Sequence, residues 1–154
     1  MIESSGNKTM STTHYKLPLL LDRVIQGYEM EHCDLETSIS KNIELIILTR
    51  FGEQRSDPTF GCEIWDVDFE LIVSPNIWEE KLRQSLLRSV TAHEHRLTKI
   101  EVGVTIRDME RTNFFKKFKE MKKRVDIRID AVVVKTGEPF KFHTNMFLSP
   151  MSID

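Results

Sequence analysis

The chain has 154 residues, with 22 Lys+Arg against 24 Asp+Glu, a formal net charge of -2 and 40% apolar residues, a profile that fits a globular domain able to bury a core without staples. With so small a net charge, no global field points to nucleic acid or to insertion in a membrane. Cys33 and Cys62 are the 2 cysteines, too few for a disulfide framework, and they read as reduced thiols; no apolar run reaches the roughly 18 residues that span a bilayer.

Residues 1–16 are rich in Ser, Thr and Asn and read as a disordered tail that lacks the apolar segment of a cleaved export signal. Residues 17–154 are expected to form a single domain. Leu17, Leu20, Leu21, Val24, Ile25 and Tyr28 make a helical stripe, which predicts a first helix over 17–30. Asp34 is a candidate N-cap for a second helix, with Leu35, Ile39, Ile43, Ile46 and Ile47 on one face and Gly52 as its stop. The Gly-, Pro- and Asp-containing stretch from Phe51 to Phe60 reads as a loop, and Ile64 to Val73 has no clean period.

Ser74-Pro75-Asn76 opens a third helix, whose Trp78, Leu82, Leu86 and Val90 recur every four residues. Ile100, Val102, Val104 and Ile106 then alternate with polar residues as a half-buried strand does. Phe114, Phe115, Phe118 and Met121, interleaved with lysines, predict a basic amphipathic helix over 110–124. Alternation resumes from Val125 to Val133, a turn follows at Thr136-Gly137-Glu138-Pro139, and Phe140 to Leu148 is the last strand. The fold class is therefore α+β: an antiparallel sheet of three or more strands packed with about three helices.

The chemistry of the chain is sparse. His14, His32, Cys33, Cys62, His93, His95 and His143 lack metal-site spacing, and neither a nucleophile elbow nor a phosphate loop is present. Asp66, Asp68, Glu70 and Glu94 would have to flank a cleft to act as a glycosidase pair, and they read instead as solvated acids. The basic stretch is a solvated face or a handle for an acidic partner, because the rest of the chain is net acidic.

One run carries more than spacing does. S-I-S-K-N-I-E-L-I-I-L-T-R-F-G-E-Q-R-S-D-P-T-F-G-C (Ser38 to Cys62), followed by A-H-E-H-R-L-T-K-I-E-V, closely resembles the gene-25-like baseplate wedge family of contractile tails, which includes TssE of type VI secretion. The matching residues are Ser38, Ile39, Thr49, Arg50, Gly52, Asp57, Pro58, Phe60, Gly61, Cys62, Glu94 and Arg96, with Leu20 to Val24 similar to the leading L-L-D-R-L of TssE chains. His95 stands where the family usually has proline, and the connection between the strands ending near Asp108 and starting near Arg124 is longer than the usual hairpin.

The resemblance implies a structural part of a contractile machine, without a cofactor. In this reading the chain works in the bacterial cytoplasm, or in the virion tail of a phage. TssF-like and TssG-like wedge proteins and the first sheath ring are the implied partners. An old lysozyme label on the family sets peptidoglycan hydrolysis as a rival, and a nucleic-acid adaptor is a second. Glu94, His95 and Arg96 are expected to present two opposite charges to a partner from an extended segment. Phe140, Phe142, His143, Asn145 and Phe147 are expected on a strand edge that a sheath subunit extends. Thr49, Arg50, Asp57, Pro58, Phe60 and Gly61 are expected to clamp a loop, with Arg50 on the helix dipole and Phe60 in the core.

Overall fold

The four-residue rhythm of the third predicted helix is realised: Trp78, Leu82, Leu86 and Val90 are all buried on one side of it. The fold is given by a computed structural model that describes residues 13–66, 74–112 and 119–148. Its elements in chain order are β1 (His14–Tyr15), α1 (Leu21–Ile25), β2 (His32–Cys33), α2 (Leu35–Leu48), a 3₁₀ turn (Glu63–Asp66), α3 (Pro75–His93), β3 (Leu97–Thr112), β4 (Lys119–Val133) and β5 (Pro139–Leu148). Three helices and an antiparallel sheet agree with the α+β class read from the sequence.

The chain divides into two compact units, Met1–Lys41 and Asn42–Asp154, where the sequence reading has one domain over 17–154. In the first unit β1 and β2 pair antiparallel, His14 with Cys33 and Tyr15 with His32. Two residues assigned to the tail are thus strand. The helix predicted over 17–30 shrinks to Leu21–Ile25 and buries none of its residues. Its stripe has no core to face: from His14 to Asp34 no residue is fully buried. Ion pairs hold the segment instead, Lys16 Nζ and Arg23 Nη1 reaching the two oxygens of Glu31 at 3.0 and 3.1 Å. Asp34 caps α2 as expected, its Oδ1 accepting from the Thr37 N–H at 2.8 Å.

In the second unit β3, β4 and β5 form one antiparallel sheet in that order. Val125, Ile127, Ile129, Ala131 and Val133 of β4 and Phe140, Phe142 and Leu148 of β5 bury one face, and α3 packs along β3. Between Thr98 and Glu101 the ladder slips by one residue, and Lys99 there has φ 52°. This bulge reverses the alternation, so that Leu97 and Val102 both turn to the core. At the same end of β4, Gly137 (φ 73°) donates to the Val133 carbonyl while the Val133 N–H donates to Glu138, a turn closed by a glycine bulge.

The predicted basic helix is corrected. β3 runs on to Thr112 and β4 starts at Lys119, in register through Asp108 with Lys123 and Arg111 with Glu120; Phe114, Phe115 and Phe118 lie outside the described residues. One pair of opposite charges meets across these strands, Lys123 Nζ lying 2.7 Å from Asp108 Oδ1, and continued ladder hydrogen bonds outweigh a helical rhythm that only a few aromatic residues carry.

After α2 the chain turns back on the helix it has just left. Thr49 Oγ1 donates to the Leu45 carbonyl at 2.7 Å, and Cys62 Sγ and Trp65 Nε1 both approach the Ile47 carbonyl, at 3.3 and 3.0 Å. Two carbonyls of the last turn of α2, those of Leu45 and Ile47, are thereby satisfied. Gly61 makes the close approach possible: at φ +118°, a Cβ there would lie 2.5 Å from the Thr49 carbonyl oxygen. The helix therefore stops at Leu48 rather than at Gly52, whose N–H instead donates to the Pro58 carbonyl at 2.9 Å. Replacing Gly61 with Ala or Val is expected to cost about 1–3 kcal/mol or more of unfolding free energy. The urea midpoint reports it, and a midpoint equal to wild type would contradict the close approach.

Candidate functional site

The helix-to-strand junction closes on a buried carboxylate. Glu94 ends α3, its N–H bonded to the Val90 carbonyl at 2.8 Å, and its carbonyl accepts from Leu97 at 3.3 Å. His95 and Arg96 thus form a turn rather than the extended segment expected. Glu94 is 2% exposed. Its Oε1 accepts from the Arg96 N–H at 3.2 Å and Arg96 Nε at 2.7 Å, and its Oε2 from Arg96 Nη2 at 2.5 Å and Asn42 Nδ2 at 3.0 Å. Asn42 also donates to the His93 carbonyl at 3.2 Å, so one amide joins the end of α3 to α2.

The two charges therefore serve each other, and the expectation that Glu94 meets a partner is corrected by its burial. Burial alone pushes the Glu94 carboxyl up; the Arg96 guanidinium, the Asn42 amide and the Arg96 backbone N–H outweigh it, and the group ionises below its ordinary value of 4.5. A glycosidase acid needs the opposite, a raised pKa at an open cleft. His95 is exposed at the turn, and the Arg96 side chain is 33% exposed.

The loop residues gather beside this junction. Asp57 Oδ1 accepts from the Thr59 N–H at 3.0 Å and the Thr59 hydroxyl at 2.6 Å. The Thr59 hydroxyl, with the Thr59 N–H, lowers the Asp57 pKa, and His93, whose Nδ1 lies 3.5 Å from Asp57 Oδ2, adds to it. Phe60 meets the His93 ring edge-on, with centroids 5.2 Å apart. It is half-buried, not the core plug expected. Arg50 pairs through its backbone, bridging to Cys62 and donating its N–H to Glu53 at 2.9 Å, while the Leu45 and Ile47 carbonyls of α2 are met by Thr49, Cys62 and Trp65. Thr49, Asp57 and Gly61 lie in the loop contacts described above, and the Pro58 carbonyl accepts from the Gly52 N–H.

The last strand has a definite polarity. Because the Val133 N–H donates to the Glu138 carbonyl and the β4–β5 register is unbroken, backbone groups of Phe140, Phe142, Thr144, Met146 and Leu148 face β4. Those of Lys141, His143, Asn145 and Phe147 face outward. Two other bonds fit this parity: Val134 donates to Arg96 across the β3 side, and Ile106 turns its N–H away from β4 to Glu79 Oε1 at 2.6 Å. Among the described residues β5 pairs only with β4. His143, Asn145 and Phe147 are exposed at this edge, Phe147 by 57%. Phe140 and Phe142 are corrected: with buried side chains and inward backbone groups, they offer an added strand nothing.

The sequence reading missed Asn42 and Ser89. Asn42 adjoins the buried Ile43 in α2, and a polar side chain beside an apolar stripe was the available signal.

The family model described as "Baseplate wedge protein gp25" matches residues 33–138. The chain belongs to that family. This wedge-family match spans the clamp, the Glu94 junction and most of the sheet. Among solved structures, that of a candidate tail lysozyme from Geobacter sulfurreducens aligns over 80% of this chain and 100% of its own, with a TM-score of 0.56 and 22% identity. Similarity at that level shows the fold. No curated protein sequence matches the chain. Among the described residues, no helix is long and apolar enough to cross a membrane.

Glu94→Gln keeps the shape and removes the charge that holds Arg96, and it is expected to cost about 1–3 kcal/mol near pH 7. The folded pKa is depressed, so this stability is present above the ordinary value of 4.5 and is lost as pH falls through the folded value. The gap in urea midpoint between wild type and Glu94→Gln should therefore be widest at neutral pH and narrow below about pH 4.5. A gap that is constant with pH would contradict the ion pair.

Proposed function

We propose that the chain is a structural wedge component of the baseplate of a contractile machine, of the TssE kind found in type VI secretion, and that it joins wedge proteins to the first sheath ring. The observation that carries this reading is the open β5 edge, where Lys141, His143, Asn145 and Phe147 turn N–H and C=O groups outward. A sheath subunit that adds a strand there satisfies the backbone groups, and affinity then depends little on side-chain identity. The other edge is less accessible, because α3 packs along β3 and Glu79 takes the Ile106 N–H.

In this proposal TssF-like and TssG-like wedge proteins meet the exposed His95 and the solvent side of Arg96, while Glu94 holds the turn that presents them. The chain then works in the cytoplasm as part of an assembled baseplate, or in a virion tail where the same geometry serves a phage. The lysozyme description belongs to the structural neighbour. Here the candidate acid is buried, paired and acidified, which favours the non-enzymatic role.

Proline removes a donor and is tolerated on edge strands where its N–H would face solvent. His143→Pro and Asn145→Pro both fall at outward positions, so each variant is expected to fold, to co-purify with wedge partners and to fail to start sheath assembly, whereas His143→Ala should assemble normally. Sheath assembly on a folded His143→Pro, Asn145→Pro double variant would rule out strand addition at this edge. Muramidase activity of the purified wild-type chain that Glu94→Gln abolishes would instead revive the hydrolase.

A further inference from the structure

The strand alternation that buries Val102 of β3, Val125 of β4 and Leu148 of β5 puts Gly103, Arg107, Met109, Arg124 and Phe147 on the opposite face of the sheet. That face is open to solvent: Arg107 is exposed, Met109 by 41% and Phe147 by 57%. One row across the three strands reads Arg107, Arg124, Phe147.

Like charges directly opposite on adjacent strands, with Cβ atoms about 5 Å apart, destabilise a sheet. Here only one of the two is neutralised. Arg124 Nε and Nη2 both reach Asp126 Oδ1, at 3.0 and 2.9 Å, and the next acid along β4, Asp130, lies 3.2 Å from Arg128 Nε. Arg107 forms no ion pair among the described residues, which leaves it a fork of five N–H donors suited to a carboxylate. Four residues back on the same face, Gly103 is a glycine the strand does not require. It is not among the positive-φ residues, and a Cβ there would meet only the Arg128 carbonyl oxygen, at an ordinary 4.0 Å. Glycine weakens a strand interior and marks a place where another chain comes close. Residues 107–124 also hold eight Lys and Arg against three Asp and Glu in a chain of net charge -2, so this end of the sheet is basic on an otherwise acidic protein.

We propose that this face is a docking site for an acidic segment of a partner protein, in which carboxylates alternate with apolar side chains. One carboxylate takes the Arg107 fork and lies close enough to Arg124 to relieve the repulsion between the two guanidiniums. The apolar side chains lie on Met109 and Phe147, and the backbone of the segment passes over Gly103. Asp126 and Asp130 on the same face repel a phosphate backbone, and Met109 and Phe147 match apolar groups, which favours a protein segment over nucleic acid. The site uses the face of the sheet and not the backbone edge of β5, so it stands apart from strand addition there.

Titration of the isolated chain with the peptide acetyl-Glu-Leu-Glu-Leu-Glu-amide, followed by amide chemical shifts, tests this. The signals of Gly103, Thr105, Arg107 and Phe147 should move, and the peptide with Gln in place of every Glu should move none of them. Arg107→Glu turns a repelling pair into an attracting one, so its urea midpoint should hold or rise while affinity for the acidic peptide falls about 10-fold or more. Gly103→Val should likewise hold or raise the midpoint, because a β-branched residue suits a strand, and should block the peptide. No movement at millimolar peptide, equal effects of the two peptides, or wild-type affinity in either variant would overturn the proposal. So would an Arg107→Glu midpoint well below wild type, which would make Arg107 a part of the frame. A short DNA duplex that moves the same signals at lower concentration than the peptide would overturn it in favour of nucleic acid, and movement on raising protein concentration alone would do so in favour of a second copy of the chain.

Discussion

The Glu94 carboxylate is buried where α3 ends, and two donors reach each of its oxygens: the Arg96 N–H and Nε at one, Arg96 Nη2 and Asn42 Nδ2 at the other. A carboxylate taken out of water is costly unless it is paired and fully hydrogen-bonded. Here the cost is offset by a bidentate guanidinium two residues along the same chain, which forces a tight turn, and by an amide from α2, which fixes where that turn lies. The start of β3 follows from this point. So does the register of the sheet, because the Arg96 carbonyl takes the Val134 N–H at the far end of β4.

That junction sets up an asymmetric sheet. On the β3 side, α3 packs close enough for Glu79 to satisfy the Ile106 N–H. On the β5 side, the buried face holds Phe140, Phe142 and Leu148, and the outward backbone groups at 141, 143, 145 and 147 have no strand beside them among the described residues. A frame that stabilises its charges internally and leaves one strand edge open suits assembly by backbone pairing better than it suits acid catalysis. The matched motif residues are accordingly those that build the frame: Gly61 lets the clamp touch the end of α2, and Glu94 with Arg96 closes the junction.

How much of this was legible in the sequence depended on whether the pattern and the packing spoke the same language. The stripe Trp78, Leu82, Leu86, Val90 and the alternation from Val125 to Val133 are direct images of burial, and both were read correctly. The stripe at Leu17 to Tyr28 had the same rhythm without a core, and it yields one short helical turn, since periodicity records which residues share a face but not whether anything covers that face. The basic stretch failed for a different reason: its helical rhythm competed with cross-strand charge pairing, such as Asp108 with Lys123, that only the register reveals. At the site, Glu94 and Arg96 were found by resemblance, but their pairing with each other and with Asn42 was not, because a residue from α2, far away in sequence, completes it. The bulge at Lys99 and the glycine bulge at Gly137 fix which strand positions face outward, and neither is visible as a hydrophobic pattern.

Native-state hydrogen exchange tests most directly the claim that β5 is an edge prepared for another strand. In the isolated chain the amides of Lys141, His143, Asn145 and Phe147 should exchange fast while those of Phe142, Thr144 and Met146 are protected, and in the assembled baseplate with sheath the first set should become protected as well. Uniform protection along β5 in the isolated chain, or outward amides that stay fast after assembly, would contradict the account.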